Sequence, residues 1–311
     1  MFKVLANDGL DSQAIEYLEN KGIIVETTHL DQEELIRQGG NYDVIIIRSA
    51  TKMTREVLEA LKGTKLRRII RAGVGLDNVD LVTAQKVGID VKNTPNASTN
   101  SVAELVLGHM LGLARFISIS NVTMREGQWN KKQYNGMEIY GKTLGIIGFG
   151  RIGKALAEKA KALGMNIVFY DEVVREDPKF VYMELEDLLP ISDFISLHTS
   201  SVDQPIINRN HLKRMKDGVF IINAARGNVI DEEVLLMGLE SGKIAGAGLD
   251  VFCNEPKPNE AICHHPRVSI SPHIGGSTVE AQRRIGEEVV HHIMELIEEE
   301  KEDEDAFCKA V

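Results

Sequence analysis

Three ionisable residues in the C-terminal half follow strand-like runs, where their side chains can act on a bound anion. Arg226 lies in NAARG directly after the run VFII, Glu255 lies in LDVFCNEP, and His273 lies in PHIGGST. Open parallel sheets bind ligands beyond the carboxyl ends of their strands, and arginine offers an anion a rigid fork of donors. Taken singly, these residues are more typical of a solvated loop, a surface turn and a structural histidine. Together, downstream of a cofactor site, they indicate a catalytic mechanism in which Arg226 clamps an anion.

A glycine-rich turn supplies that cofactor site. The pattern Gly148-x-Gly150-x-x-Gly153 follows a strand-like run and begins a helical pattern. Gly148 permits the tight turn, Gly150 lets a pyrophosphate approach the backbone, and Gly153 lets the helix pack on the sheet. The backbone N–H groups near Arg151 and Ile152 then face the phosphates. The context of strand and helix makes a dinucleotide site a better interpretation than a turn without a ligand.

An acidic residue at the end of the next strand-like run selects the cofactor. Asp171 stands 18 residues after Gly153, where a carboxylate holds the adenosine ribose hydroxyls. A 2′-phosphate would be repelled by Asp171 and Glu172. The sequence therefore predicts NAD rather than NADP.

Strand-like and helical patterns alternate along the chain, which predicts an α/β protein with parallel sheets. The strand-like runs are 3–7, 23–27, 43–48, 66–70, 143–148, 166–170, 193–198, 218–222, 246–251 and 267–271.

Two long helices interrupt this alternation, at about Ser101–Ile119 and Thr278–Glu299. Each follows a stretch rich in Gly, Pro, Asn and Ser and begins with a capping-box pattern. We interpret them as crossings between domains. This places a discontinuous domain at 1–95 plus 283–311 and a second domain at 96–282, with the ligand cleft expected where the two meet.

Composition narrows the class of protein. The 311 residues are 43% hydrophobic and 26% charged, with a net charge of −10, as in a soluble globular protein. This charge disfavours nucleic acid as a partner. The acidic tail at 298–306 is interpreted as a solubilising or frayed helix end. The sequence shows neither a signal peptide nor a membrane span, so we expect a cytoplasmic protein without a membrane partner.

Cysteine and histidine usage argues against metal. The three cysteines, Cys253, Cys263 and Cys308, form no CxxC pair, which fits a reducing compartment. The pairs His264–His265 and His291–His292 lack the further ligands that a metal site needs. No metal is predicted.

The three C-terminal motifs resemble those of the D-isomer-specific 2-hydroxyacid dehydrogenases, and the resemblance covers nearly the whole chain. It implies a Rossmann NAD-binding domain inserted in a flavodoxin-like substrate-binding domain, both doubly wound. It also implies that His273 is the acid/base, that Glu255 accepts a hydrogen bond from its other ring nitrogen, and that Arg226 binds the substrate carboxylate. The further cofactor contacts that it implies are Thr199, Ala224, Ala225, Asp250, His273 and Gly275.

The N-terminal motifs resemble the phosphoglycerate dehydrogenases of this family. They are IIIRSATKMT (45–54), RAGVGLDNVD (71–80) and TPNASTNSVAEL (94–105). This resemblance implies oxidation of D-3-phosphoglycerate to 3-phosphohydroxypyruvate, the first step of L-serine biosynthesis. A phosphate needs extra cations, for which Arg48 and Arg71 are the candidates. Substrate contacts are also expected from Gly73 and Val74.

The resemblance extends to assembly and leaves alternatives open. The segment 127–136 resembles a dimer arm, which implies a homodimer or larger oligomer through the NAD-binding domain. Lys131 on this arm either adds charge to the neighbouring subunit's site or is solvated. We expect no serine-sensing regulatory domain, and hence no inhibition by serine through one. The alternatives are a glyoxylate or hydroxypyruvate reductase and, more distantly, an NAD-sensing corepressor.

Overall fold

The chain forms two compact units, Met1–Ser98 with Gly276–Val311 and Thr99–Gly275, here called unit 1 and unit 2. The computed structural model describes the backbone of residues 1–310 and the side chains of 1–299, 301 and 302. Cys308 and most of the predicted acidic tail lie outside the described side chains.

Unit 1 begins with five strands that alternate with helices. Along the chain they are β1 (Lys3–Ala6), α1 (Ser12–Asn20), β2 (Ile24–Glu26), α2 (Gln32–Gln38), a 3₁₀ turn (Gly39–Asn41), β3 (Val44–Ile47), α3 (Arg55–Ala60), β4 (Arg68–Arg71), α4 (Leu81–Val87) and β5 (Asp90–Asn93). All strand pairs are parallel, in the order β2-β1-β3-β4-β5. This is the doubly wound order of flavodoxin-like sheets.

Unit 2 contains seven strands. Its elements are α5 (Thr99–Ala114), α6 (Ile117–Arg125), β6 (Thr143–Ile147), α7 (Arg151–Ala162), β7 (Asn166–Tyr170), β8 (Val181–Tyr182), α8 (Leu185–Leu188), β9 (Phe194–Leu197), α9 (Arg209–Arg214), β10 (Val219–Asn223), a 3₁₀ turn (Gly227–Val229), α10 (Glu232–Ser241), β11 (Ile244–Leu249), α11 (Glu260–Cys263) and β12 (Val268–Ile270). The parallel order is β12-β11-β10-β9-β6-β7-β8. The order reverses between β6 and β9, which is the position where doubly wound sheets bind nucleotides.

The chain then returns to unit 1 through α12 (Val279–Ala310). Thr278 begins this helix, since its Oγ1 accepts a hydrogen bond from Ala281 N at 3.1 Å. One apolar stripe of α12, made of Ile285, Val289, Ile293 and Leu296, packs on β1, β3 and β4. A second apolar cluster, with Leu35 and Leu58, includes buried residues of the same three strands. The sheet is therefore covered on both faces, as parallel sheets require.

Unit 2 is built on the same principle. α5 and α7 share one cluster that includes Val106, Leu156 and Phe169, while α10 and α9 contribute to a second cluster with Ile221 and Leu249. The sequence-based prediction of two doubly wound parallel-sheet units is therefore confirmed.

The unit boundaries differ from those expected from the sequence. The chain changes unit at Ser98/Thr99 and Gly275/Gly276, rather than at 95/96 and 282/283. Ala97 is fully buried in the core of unit 1, and its carbonyl accepts a hydrogen bond from Arg284 Nε at 2.8 Å. Both crossings are therefore anchored in unit 1.

The first long helix is also shorter than predicted. It ends at Ala114, and α6 begins after Phe116, which adopts a left-handed φ of 56°. The Ala114 carbonyl accepts a hydrogen bond from Met137 N at 2.9 Å, and the Phe116 ring packs on Tyr134 with 5.6 Å between centroids. The segment before β6 therefore caps α5 and replaces its next turn.

Candidate active site

The turn that carries Arg226 is fixed by a buried asparagine at the end of β10. Asn223 is 1% exposed; its Nδ2 donates to the Arg226 carbonyl at 2.8 Å, and its Oδ1 accepts from Ala225 N at 3.0 Å. β10 lies between β9 and β11. Arg226 is thus presented at the carboxyl end of an interior strand, half-buried, with Nη1 donating to the Ala225 carbonyl at 2.6 Å.

A glycine next to Arg226 lets two loops touch. A Cβ on Gly227 would overlap the carbonyl of Phe252 and the nitrogen of Cys253, so only glycine permits this approach. The turn after β10 therefore lies against the loop after β11, which carries Glu255. The positive charge of Arg226 is one of the groups that lower the pKa of Glu255.

His273 and Glu255 form a close hydrogen-bonded pair. His273 Nδ1 and Glu255 Oε2 are 2.7 Å apart, and Glu255 Oε1 accepts from Phe252 N at 3.0 Å. Burial alone would raise the pKa of Glu255, but the hydrogen bonds from His273 and Phe252 and the charges of His273 and Arg226 bring it below its usual value. An ionised carboxylate only accepts hydrogen bonds. Nδ1 therefore carries a proton, and in the neutral ring Nε2 keeps its lone pair.

The backbone of the His273 loop is held by Asp250. His273 has a φ of 54°, a left-handed conformation that costs a non-glycine residue about 1–3 kcal/mol. Its N–H donates to the Asp250 carbonyl at 2.8 Å. The Asp250 carboxylate, 1% exposed, accepts from Ile274 N at 2.9 Å and Gly275 N at 2.8 Å, and from Ser271 Oγ at 2.6 Å.

These contacts bear on two predicted cofactor contacts. A carboxylate offers about four acceptor sites. The loop and Ser271 use three of those on Asp250, so one remains for the predicted contact with the cofactor. A Cβ on Gly275 would lie 3.1 Å from both Asp250 Oδ2 and Val102 Cγ2. A side chain here would therefore have to move Asp250 or Val102 by a few tenths of an ångström.

The glycine-rich turn has the shape that a pyrophosphate requires. Gly148 has a φ of +93°, and a Cβ there would lie 2.6 Å from the His198 carbonyl oxygen. A Cβ on Gly153 would overlap the Gly148 carbonyl, whereas one on Gly150 would meet nothing within 4 Å. The first and third glycines thus permit close packing, and the second leaves open space at the N-terminus of α7, beside Arg151 and Ile152.

Two side chains beside this turn have hydrogen-bonding capacity for a dinucleotide. Asp171 accepts from Phe149 N at 2.6 Å through Oδ2 and from Val173 N and Val174 N at 2.9 Å through Oδ1. Burial would raise the pKa of Asp171, but these three backbone hydrogen bonds and Lys154 lower it. Thr199 Oγ1 is buried without a partner in the described part of the chain, next to Gly148. Ala224 directly follows β10. Together with Ala224, the side chains of Asp171 and Thr199 fit a dinucleotide.

The two predicted phosphate ligands lie in unit 1, on neighbouring strands. Arg48 follows β3 and Arg71 ends β4, with Ile47 paired to Arg71 in the sheet. Arg71 Nη2 donates to Ser49 Oγ at 3.1 Å, and its guanidinium lies where a Cβ of Gly73 would be. A side chain at position 73 would therefore displace the Arg71 guanidinium from this place.

The loop of Arg48 is held by Asp8. Oδ2 of Asp8 accepts from Arg48 N at 2.6 Å and from Thr51 N at 3.1 Å. Arg48 Nε is buried without a hydrogen-bond partner in the described part of the chain. A hydrogen bond from Asn93 Nδ2 to the Val74 carbonyl, at 2.5 Å, fixes the backbone at Val74.

One predicted site residue, Lys131, does not lie with the others, and two residues that support the site were not predicted. Lys131 is exposed between α6 and β6. Neither Asn223 nor Ser271 was predicted from the sequence. A polar residue directly after an apolar run, here VFII of β10, is a signal that could have found Asn223. Among the described residues, no three His, Cys, Asp or Glu side chains are grouped to hold a metal ion.

Taken one at a time, none of the described helices has the length and apolarity to cross a membrane. The bent pair Thr99–Ala114 and Ile117–Arg125, at 64°, passes this test only when its two helices are counted together.

The sheet order, the glycine-rich turn and the acid after β7 define a dinucleotide-binding α/β domain. Residues 107–275 match the model of the D-isomer specific 2-hydroxyacid dehydrogenase, NAD binding domain. The chain belongs to the D-isomer-specific 2-hydroxyacid dehydrogenase family, and it is an enzyme of that family with NAD as its cofactor.

Proteins similar in sequence to this chain are named for two different substrates. The chain is 47% identical to a hydroxypyruvate reductase of Thermotoga maritima, over 94% of this chain and 97% of that protein. It is 42% identical to a D-3-phosphoglycerate dehydrogenase of Methanocaldococcus jannaschii, over 96% of this chain but only 58% of that protein. The crystal structure of the TT0316 protein from Thermus thermophilus matches with a TM-score of 0.88 and 32% identity, covering 96% of this chain and 97% of the other.

Proposed function

We propose that this enzyme oxidises D-3-phosphoglycerate to 3-phosphohydroxypyruvate, the first step of L-serine biosynthesis. The observation that carries the proposal is the pair of guanidinium groups at adjacent strand ends of unit 1, Arg48 and Arg71. A phosphorylated hydroxy acid is strongly anionic, and the chain has a net charge of −10. Binding therefore requires a local concentration of cations. Gly73 and Val74 supply backbone groups beside them.

The residues of unit 2 supply the chemistry in this proposal. Bound NAD would supply the acceptor for the hydride that leaves C2 of the substrate. Arg226 binds the carboxylate through two parallel N–H donors. Nε2 of His273 accepts the hydroxyl proton, while Glu255 holds Nδ1–H and stabilises the positive charge that the ring gains. The turn of Gly148, Gly150 and Gly153 would hold the cofactor, with Asp171 at the ribose.

Reduction of hydroxypyruvate is the second candidate. It is supported by the 47% identity to a hydroxypyruvate reductase that this chain covers almost completely. The pair of D-glycerate and hydroxypyruvate differs from the pair of D-3-phosphoglycerate and 3-phosphohydroxypyruvate only by the phosphate group. Arg226, Glu255 and His273 recognise and transform the part that is common to both, so the residues that separate the candidates are Arg48 and Arg71.

Replacing Arg71 or Arg48 by alanine tests the proposal. We expect kcat/KM for D-3-phosphoglycerate to fall about 10- to 150-fold, because a hydrogen bond to a charged group contributes about 1.5–3 kcal/mol. The value for D-glycerate should change much less. Both are measured as NADH formation with each purified variant.

The matched control is Arg67→Ala. Arg67 precedes β4 at its amino end and pairs with Asp43 at 2.7 Å, so this variant removes the same charge away from the carboxyl edge of the sheet. It should not change the ratio between the two substrates. If wild-type enzyme turns over D-glycerate as well as the phosphorylated acid, the second candidate replaces the first.

We infer that the enzyme is a homodimer and that the partner subunit packs on the surface around α6. This helix has no buried residue, and its Val122 and Met124 are each 51% exposed, while Trp129 beyond it is 77% exposed. Exposed apolar groups concentrated in one segment are typical of an interface. Lys131 lies on the same segment, where a partner subunit would meet it.

Sedimentation velocity tests the dimer. Wild-type protein at micromolar concentration is expected to sediment as a dimer, and Val122→Lys is expected to shift it to monomer, because the substitution buries an unpaired charge in the interface. Val181→Lys on β8, also an exposed valine (56% exposed), is the control and should remain dimeric. A wild-type monomer would overturn the inference.

A further inference from the structure

A buried histidine of α5 lies against the sheet of unit 2, below the loop that carries His273. His109 is 6% exposed, and its helix neighbours Val106 and Met110 are fully buried. A Cβ on Gly248 of β11 would lie 2.7 Å from the Cβ of His109. The close approach of α5 to β11 at this point therefore depends on glycine, and it places an imidazole where an apolar side chain would be expected.

Both ring nitrogens of His109 have a serine partner on the strand and loop that lead to His273. Nδ1 is 2.9 Å from Ser269 Oγ, and Nε2 is 3.0 Å from Ser271 Oγ. Ser271 in turn donates its hydroxyl proton to Asp250 Oδ1 at 2.6 Å. A chain of hydrogen bonds thus runs from α5 through Ser271 to Asp250.

The direction of each hydrogen bond follows from counting protons. Because Ser271 has one hydroxyl proton and gives it to Asp250, its oxygen must accept from His109. Nε2 of His109 therefore carries the proton, and Nδ1 accepts from the Ser269 hydroxyl. Only the neutral ring can donate at one nitrogen and accept at the other. Burial lowers the pKa of His109, against the opposing effect of the Asp250 charge, which favours this neutral form.

The far end of this chain is the strained backbone of the His273 loop. Asp250 accepts from Ile274 N and Gly275 N, directly after His273 with its φ of 54°. A residue in this conformation persists only where its surroundings fix it. The orientation of the Asp250 carboxylate is therefore coupled to the backbone conformation of the loop that presents His273.

We propose that His109 is a positioning residue for His273, acting through Ser271 and Asp250. The inference rests on the proposed role of His273 as the acid/base. His109 is too deeply buried to meet the substrate; it fixes the rotamer of Ser271, which then directs its proton to Asp250. Without the donor at Nε2, the Ser271 hydroxyl loses the partner that fixes its rotamer, and when it turns away, Asp250 Oδ1 loses one of its two donors.

The test compares His109→Leu, His109→Gln and Ser271→Ala with wild-type enzyme, using NAD and the best hydroxy acid substrate. We expect His109→Leu to lower kcat about tenfold, the effect of one lost neutral hydrogen bond, with KM for the hydroxy acid changed less than about twofold. His109→Gln should recover most of kcat, because its amide NH2 can donate to Ser271 and its carbonyl oxygen can accept from Ser269. In the double variant of His109→Leu with Ser271→Ala, kcat should fall no further than with Ser271→Ala alone.

A control separates positioning from stability. Met110→Ala lies on the same helix and leaves a cavity in the core, which lowers the melting temperature, but it does not touch the hydrogen-bond chain. Its kcat should equal that of wild type at a temperature where both are folded. Equal losses of kcat in Met110→Ala and His109→Leu would overturn the inference, as would a glutamine variant no better than the leucine variant.

The two proposals fail in distinguishable ways. If His273→Gln loses activity while His109→Leu keeps wild-type kcat, His273 retains its proposed role and only the positioning by His109 is wrong. If His273→Gln itself turns over at the wild-type rate, the proposed role of His273 fails, and the inference about His109 fails with it.

Discussion

Replacing His273 by glutamine is expected to lower kcat for hydroxy acid oxidation by about 10²–10⁴-fold, the usual contribution of a general acid or base. Glutamine can still donate to Glu255 and preserve the loop, but it cannot take up the hydroxyl proton at neutral pH. The Kd for NADH, measured by fluorescence titration, should stay within a few-fold of wild type. Stopped-flow measurement of the first turnover would show that the loss is in the chemical step.

Glu255→Gln is the companion variant. The pKa of Glu255 lies below its usual value, so the carboxylate is ionised throughout neutral and mildly acidic solution, and the variant removes a charged acceptor over that whole range. We expect a smaller loss than for His273→Gln, because the ring remains and only its orientation and stabilisation are weakened. A glutamine variant of His273 with more than a tenth of wild-type kcat would contradict the proposed acid/base role.

The parts of this fold that the sequence predicts well are those with short-range causes. Val44–Ile47 is a run of four β-branched residues and is completely buried in β3. In the turn after β6, Gly148 is required by its own φ of +93°, and Gly153 by overlap with the Gly148 carbonyl only a few residues away. Such local requirements leave a pattern in a single sequence, and both features were predicted.

Two of the four edge strands, β5 and β8, were not predicted, whereas β2 and β12 at the opposite edges were. β5 is made of DVKN, and none of its residues is fully buried; β8 contains only Val181 and Tyr182. An edge strand is defined by pairing with a neighbour rather than by an apolar run. The break between α5 and α6 has the same character, since it depends on the segment near Met137, more than twenty residues along the chain.

In the candidate site, too, the features with local causes were predicted and those with long-range causes were not. The types and motifs of Arg226, Glu255 and His273 suffice to single them out, and the structure places Glu255 against His273 at 2.7 Å. The supporting contacts are long-range: His109 and Ser271 are 162 residues apart, and Asp250 and Gly275 are 25 apart. No spacing rule connects such pairs, because the order of strands in the sheet brings them together.

Replacing Arg226 by glutamine is expected to reduce kcat/KM by about 30- to several-thousand-fold, from the 2–5 kcal/mol that loss of one partner of a buried charge pair costs. The substrate carboxylate would keep only a single neutral donor in place of the charged fork. The effect should appear for phosphorylated and unphosphorylated hydroxy acids alike, since both have the carboxylate. This distinguishes Arg226 from Arg48 and Arg71, whose replacement should act mainly on the phosphorylated substrate.

Arg226→Lys sharpens the test, because it keeps the charge and removes the fork. Lysine is a point charge that cannot offer two parallel donors, so it should restore binding only in part, with KM improving more than kcat. Arg214→Gln, an exposed arginine of α9, removes the same charge from unit 2 and should leave both constants unchanged. If Arg226→Gln affects only the melting temperature, the arginine serves the turn after β10 and not the substrate. The proposed binding of the substrate carboxylate by Arg226 requires that kcat/KM of Arg226→Gln falls while its melting temperature stays that of wild type.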